Sequence, residues 1–406
     1  MDESGIKKVV AEEIKDSRGN PTIKVTVWAG GASGSFSVPS GASTGIHEAH
    51  ELRDDDGKGV QKAIEKVNGA IAGALSGRNV FNQSEIDQIL IELDGTPNKN
   101  NLGGNSMIGA SIACAKAAAK LKNIELFEYL RTLADIKLSR KVPHLFINLL
   151  EGGKHASNIL AFQEYHIVPD TDNITEAISM GINIQNSLKE ILLKDLGADS
   201  VVFGDEGGFA LKVKDIRQPL FYLREAIKQS ELEGKIHLAL DVAATSFYQN
   251  GMYKIDGKNM SGEELLNIYK SLIQEFNLLS IEDPFYEEDF IGFKRLKEDN
   301  KILIVGDDLT VSNKILLKKA LENSSINAMI IKPNQIGTLT ETLETMKLAR
   351  ENNIELIVSH RGEETDDDFV ADLAFAFGCF GLKSGAPTKP ERVVKYRRLE
   401  KIVSLL

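Results

Sequence analysis

Residues 278–285 read LLSIEDPF: a short apolar stretch that runs into two carboxylates, Glu282 and Asp283, and then Pro284. Asp and Pro are turn residues, so a plain strand end accounts for this segment taken alone. The same grammar recurs along the chain. "HLFINLL" leads to Glu151 and His155, and "AFQEYHIV" carries Gln163 and Glu164. "SVVFGDEGG" carries Asp205 and Glu206, "IHLALDV" carries Asp241, and "KILIVGDD" carries Asp307. "AMIIKPNQ" carries Lys332, "IELIVSHR" carries His360 and Arg361, and "CFGLKSGAP" carries Lys383. From about Val142 these apolar runs alternate with helix-like stretches, which predicts parallel βα units. Charged residues at strand ends converge on one face of a (β/α) barrel. An open doubly wound sheet also gathers ligands at strand ends, but charges on nearly all nine runs favour closure.

The first ~130 residues follow an α+β grammar instead. Residues 22–28 alternate, with Ile23, Val25 and Val27 on one face, as in a half-buried strand. "AGGASGSFSVPSGASTG", residues 29–45, is so rich in Gly and Ser that it reads as a mobile loop. The Ala-rich stretch 106–122 reads as helix. The expected division is an α+β domain over 1–130 and a barrel over 140–406.

The chain has 406 residues, a formal charge of −11 and 42% hydrophobic residues, enough for a large core. The acidic balance argues against nucleic acid as a partner, which calls for a basic face. Cys114 and Cys379 are isolated in small or apolar surroundings, as core residues of a reducing compartment are. The N-terminal sequence lacks a signal-peptide pattern, and no apolar run approaches the ~20 residues of a membrane helix. The expectation is a cytoplasmic protein with no membrane partner.

Asp241, Glu282 and Asp307 stand one βα unit apart, each at a strand end. Three hard oxygen ligands with room for water and substrate suit Mg²⁺. Lys332, His360, Arg361 and Lys383 follow on the next strands and would face them across the barrel mouth. A lysine beside metal cations has its charged form disfavoured and becomes a usable base. Arg361 supplies a fork for phosphate or carboxylate. A metal-bound carboxylate opposite a lysine suits removal of a proton α to a carboxylate.

"DSRGNPT", "VPSGASTGIHEAHELRD", "GGKHASN…FQEY", "GDEGGFA", "ALDVAATSFY", "SIEDPF", "IVGDDLTVSN", "IKPNQIGTLTETL", "VSHRGEETDD" and "KSGAPTKPERVVKYRRL" resemble the enolase family, in order and across nearly the whole chain. The resemblance implies a modified (β/α)8 TIM-like barrel with a ββαα start, preceded by an N-terminal α+β capping domain. It implies reversible dehydration of 2-phosphoglycerate to phosphoenolpyruvate by a homodimer. Two Mg²⁺ ions per site are implied, the second arriving with substrate. Asp241, Glu282 and Asp307 match ligands of the first ion, and Ser43 in the Gly/Ser loop matches a ligand of the second. Lys332 matches the base that takes the C2 proton. Glu206 matches the acid that helps the C3 hydroxyl leave, with Glu164 beside it. Lys383 matches a binder of the substrate carboxylate and Arg361 the main phosphate contact, with His360 beside it. Gln163 and His155 match further substrate-side groups.

The wording departs from the family in one important place. Enolases usually read SHRSGET where this chain reads SHRGEET, so Gly362 replaces a serine that contacts phosphate and Glu363 replaces a glycine. "DVAATSFY" carries Thr245 and Ser246 where Ser-Glu is commoner, and Pro333 stands at a usually aliphatic position. Gly362 and Glu363 keep two alternatives open: a lyase acting on a related 2-hydroxy acid, or a low-activity binding protein on an enolase fold.

Overall fold

The structure, a computed structural model, describes residues 4–41, 45–156 and 160–405. It opens with an antiparallel sheet of β1 (Ile6–Lys15), β2 (Pro21–Ala29) and β3 (Ala32–Ser37). Ile23, Val25 and Val27 are fully buried, as their alternation demands. β3 corrects the sequence reading, because residues 32–37 of the expected Gly/Ser loop are strand. The reason lies in packing. A Cβ on Gly34 would stand 2.2 Å from the backbone N of Ala117 and 2.3 Å from the carbonyl O of Ala113. Small side chains on β3 thus let the Ala-rich helix Gly104–Leu121 lie directly on the sheet.

The remaining strands, in chain order, are β4 (His144–Glu151), β5 (Glu164–Pro169), β6 (Phe209–Ala210), β7 (Ile236–Asp241), β8 (Tyr248–Gln249), β9 (Met252–Ile255), β10 (Lys258–Met260), β11 (Leu278–Glu282), β12 (Leu303–Gly306), β13 (Ala328–Ile331), β14 (Glu355–Ser359) and β15 (Gly381–Lys383). The large sheet runs β15-β14-β13-β12-β11-β7-β5-β4, and β15 pairs with β4 to close it; β6 attaches to the end of β4. β8, β9 and β10 form a separate small sheet after β7. β5 runs antiparallel to both β4 and β7, while the other barrel pairings are parallel. Helices Ile174–Leu196 and Gln218–Gln229 follow this strand pair, so the barrel starts ββαα.

Phe146, Val168, Ala239, Val305, Ala328, Ile330 and Ile357 fill the barrel interior. The barrel is therefore a packed core with a floor, and its chemistry is confined to the rim. A second correction concerns residues 200–208, read above as a strand. Only Phe203 makes an isolated bridge, to Phe209, and residues 205–208 turn, held because the buried Glu151 carboxylate accepts the N–H groups of Glu206, at 3.1 Å, and Gly208, at 2.6 Å. No helix among the described residues is long and apolar enough to cross a membrane.

Candidate active site

The antiparallel β5 decides how the carboxylates meet. Glu164 opens β5, yet in register it lies opposite Asp241 at the end of β7 and Glu151 at the end of β4. Glu282, at the end of β11, lies beside Asp241. β15 closes the ring with Lys383 at its end. The Lys383 ammonium is 2.8 Å from Asp241 Oδ2, 3.0 Å from both Glu282 oxygens and 3.1 Å from Glu164 Oε2. Burial alone would lower the Lys383 pKa, but Asp241, Glu164 and Glu282 outweigh it and hold the amine well above its ordinary value. Gln163 Nε2 donates to Asp241 Oδ2 at 3.4 Å, and His166 Nε2 lies 2.8 Å from Glu164 Oε2.

Lys332, just past β13, donates to Asp307 Oδ2, and Gln335 Nε2 donates to Asp307 Oδ1 at 3.0 Å. Burial pulls the Lys332 pKa down, but Asp307 prevails and raises it. The lowering expected for a base beside cations is thus not produced by the protein groups alone. Reading strand ends took Asp283 for a turn residue only and left Asp308 out. Asp283, Asp307 and Asp308 form a buried cluster of closely spaced carboxylates, sharing only Asp307 with the set predicted from sequence. Asp283 accepts the N–H groups of Asp307 at 2.9 Å and Asp308 at 2.8 Å, so it fixes the turn that presents Asp307. Burial first, and then the neighbouring Asp307, push Asp308 up to about 8. The doubled "DD" of residues 307–308 was the available signal.

Glu206 lies in the turn held by Glu151. Its Oε2 accepts from Asn148 Nδ2 at 3.2 Å and lies 3.3 Å from His360 Nε2. Arg361 places Nη1 2.9 Å from Glu48 Oε2 and Nη2 3.1 Å from Glu48 Oε1, and also reaches Asn334 Oδ1 at 3.1 Å. Glu48 sits in the "GIHEAHELRD" segment, which sequence reading quoted without assigning it. Glu164, Glu206, Asp241, Asp307, Lys332, Arg361 and Lys383 line one cavity of about 30 Å³, together with Gln163, His360 and Gly362. Ser43 lies outside the described residues. His155 begins no strand but ends the short turn Gly153–His155, and its side chain is outside the description.

Two family models divide the chain: "Enolase, N-terminal domain" matches residues 6–130 and "Enolase, C-terminal TIM barrel domain" matches residues 139–406. The chain belongs to the enolase family. It is 46% identical to the enolase of Methanocaldococcus jannaschii over 403 residues, 98% of this chain and 94% of that one. It is 44% identical to the enolase of Methanopyrus kandleri over 409 residues, 98% and 95% of the two chains. With Enolase B of Dictyostelium discoideum the identity is 43% over 417 residues, 98% and 94%.

Gly362 lines the cavity. The Glu363 carboxylate instead accepts from Arg18 Nη1 at 3.0 Å and Asn20 Nδ2 at 3.3 Å, at the turn between β1 and β2. Its backbone pairs with Ser40 in both directions.

Proposed function

We propose that this site interconverts 2-phosphoglycerate and phosphoenolpyruvate with Lys332 as base and Glu206 as acid. Membership of the enolase family makes the chain a lyase, phosphopyruvate hydratase. The observation that carries the assignment of roles is the shared cavity, which brings both groups together with Asp241, Asp307, Arg361 and Lys383. Neutral Lys332 accepts the C2 proton, so Asp307 must first release it. The C3–O bond then breaks, the hydroxyl leaves as water with a proton from Glu206, and C2=C3 forms. Lys383 and Gln163 bind the substrate carboxylate, and Arg361 takes the phosphate by exchanging it for Glu48. His360 and Glu164 complete the polar wall, and His155 is kept as a further substrate-side group.

The donor set fits Mg²⁺. Asp241, Glu282 and Asp307 are hard oxygen donors at adjacent strand ends. Burial first, and then the nearness of Asp241, push Glu282 well above the ordinary carboxylate range, a crowding that a cation relieves. These three would hold one ion, with Ser43 joining a second that arrives with substrate. Bound metal supplies positive charge to the substrate carboxylate as the C2 proton leaves. This reading includes a cytoplasmic homodimer. The alternatives of a related 2-hydroxy acid or a binding protein draw on Gly362 and Glu363, and Glu363 faces Arg18 rather than the cavity.

The test separates the two steps. Lys332→Ala should abolish exchange of the substrate C2 proton with solvent deuterium. Glu206→Gln should spare that exchange far more than it spares formation of phosphoenolpyruvate, followed by its absorbance. Native-rate exchange in folded Lys332→Ala would remove Lys332 as the base.

A further inference from the structure

Arg392 is fully buried in the first turn of helix Pro390–Ser404, and the nearest carboxylate oxygen paired with it, on Glu391, is 3.8 Å away. Its guanidinium is spent on neutral acceptors next to the catalytic groups. Nη1 donates to the Arg361 carbonyl at 2.6 Å and to Nδ1 of His360. Nη2 donates to the carbonyls of Gly362, at 2.7 Å, and Asp205, at 3.4 Å. Those carbonyls flank the phosphate fork at Arg361 and the acid at Glu206.

The contact with His360 has a chemical consequence. An arginine has only donors, so Nδ1 of His360 must be the acceptor and carry no proton. Neutral His360 then holds its proton on Nε2, which points at Glu206 Oε2. Burial first, and the Arg392 charge as well, oppose protonation of His360, while Glu206 favours it; the balance lies below the ordinary histidine value, towards the neutral ring. Oε2 of Glu206 therefore receives two N–H donors, from His360 and from Asn148. An oxygen so engaged is a poor place for an acid proton.

We propose that Arg392 is a positioning residue that fixes the His360 tautomer and thereby dictates which oxygen of Glu206 carries the proton given to the leaving hydroxyl. The inference rests on the reading of Glu206 as the acid. Without Arg392, His360 can move its proton to Nδ1 and present a lone pair to Glu206. The carboxyl proton is then drawn to Oε2 and held against the ring, unavailable to the substrate.

The test begins with the native chain. Ring ¹⁵N NMR of the seven histidines, with His360 assigned by its loss in His360→Gln, should show a neutral ring protonated on Nε2. A ring protonated on Nδ1 overturns the proposal, whatever any variant does. In Arg392→Met the His360 signal should shift towards the other tautomer. Dehydration should fall ~10-fold or more, a part of the 10²–10⁴-fold that general acid catalysis supplies. Exchange of the C2 proton should fall much less. Equal loss of both, with the native tautomer kept, would make Arg392 a merely structural residue and overturn the proposal. If Arg392→Met does not fold, the native spectrum still decides. Glu206→Gln that dehydrates normally would refute the acid assignment without touching the tautomer result, so the two failures are distinct.

Discussion

A carboxylate two residues beyond Arg361 would oppose a phosphate dianion if it faced the fork. Glu363 faces Arg18 and Asn20 instead, and its side chain is largely covered there. Burial raises its pKa and Arg18 opposes that rise. The two departures at 362 and 363 should therefore behave differently. Gly362 lines the cavity and lacks a hydroxyl, so Gly362→Ser should lower the KM for 2-phosphoglycerate several-fold with a similar kcat. One hydroxyl hydrogen bond supplies about 0.5–3 kcal/mol depending on the charge of its partner, and phosphate contacts remote from the bond changes act as uniform binding. Glu363→Gly should leave KM near native, since no charge is withdrawn from the cavity. Its cost should be limited to an ion pair of about 0–1 kcal/mol, read from the unfolding midpoint. A sharp fall of KM in Glu363→Gly would show that its charge does reach the substrate.

Strand ends carry the site, and they explain how legible it was. Asp241, Glu282 and Lys383 end apolar runs on β7, β11 and β15, so a one-dimensional pattern finds them. Glu164 was found by the same pattern although it starts its strand, because the antiparallel β5 turns its beginning to the active rim. What stayed hidden depends on contacts between distant segments. Glu48 reaches Arg361, and Arg392 reaches His360, from parts of the chain without strand grammar. β3 was misread because composition argued for a loop, while the close approach of a helix to Gly34 rewards small residues in a strand. The same rim yields a metal prediction. Asp307 is the group shared by the expected ligand set and the observed aspartate cluster. Asp307→Asn should weaken Mg²⁺ binding in calorimetry by at least the ~10–100-fold typical of losing an outer partner of a metal ligand. Unchanged affinity in a folded variant would exclude Asp307 from the metal centre.

At the scale of the whole molecule, the N-terminal part caps a barrel helix. The first N–H groups of Leu339–Glu351 lack partners within the helix. Ser111 Oγ accepts from Leu339 N at 3.0 Å, while Asp87 Oδ2 accepts from Thr340 N at 2.8 Å and from Thr340 Oγ1 at 2.6 Å. Both acceptors come from the first 130 residues, and Asp87 is completely buried. Asp87→Ala should leave the Thr340 N–H unpaired and cost about 1–3 kcal/mol in urea unfolding. The pH dependence follows from the sign of the Asp87 shift. Burial raises its pKa above the ordinary 3.8, and the donors from Ser111, Thr340 and Gln83 reduce that rise without reversing it. The folded state therefore holds the Asp87 proton more tightly than the unfolded state. Its contribution is fully present below the unfolded pKa and is lost as pH rises through the folded pKa. Asp87→Asn keeps an oxygen for Thr340 but cannot ionise. The difference in stability between native and Asp87→Asn, in which the other titrating groups largely cancel, should move against the native chain as pH climbs past 3.8 and then level off. A difference moving the other way would mean that Ser111, Thr340 and Gln83 together outweigh burial, and that the two parts of the molecule are joined through a carboxylate the fold holds ionised.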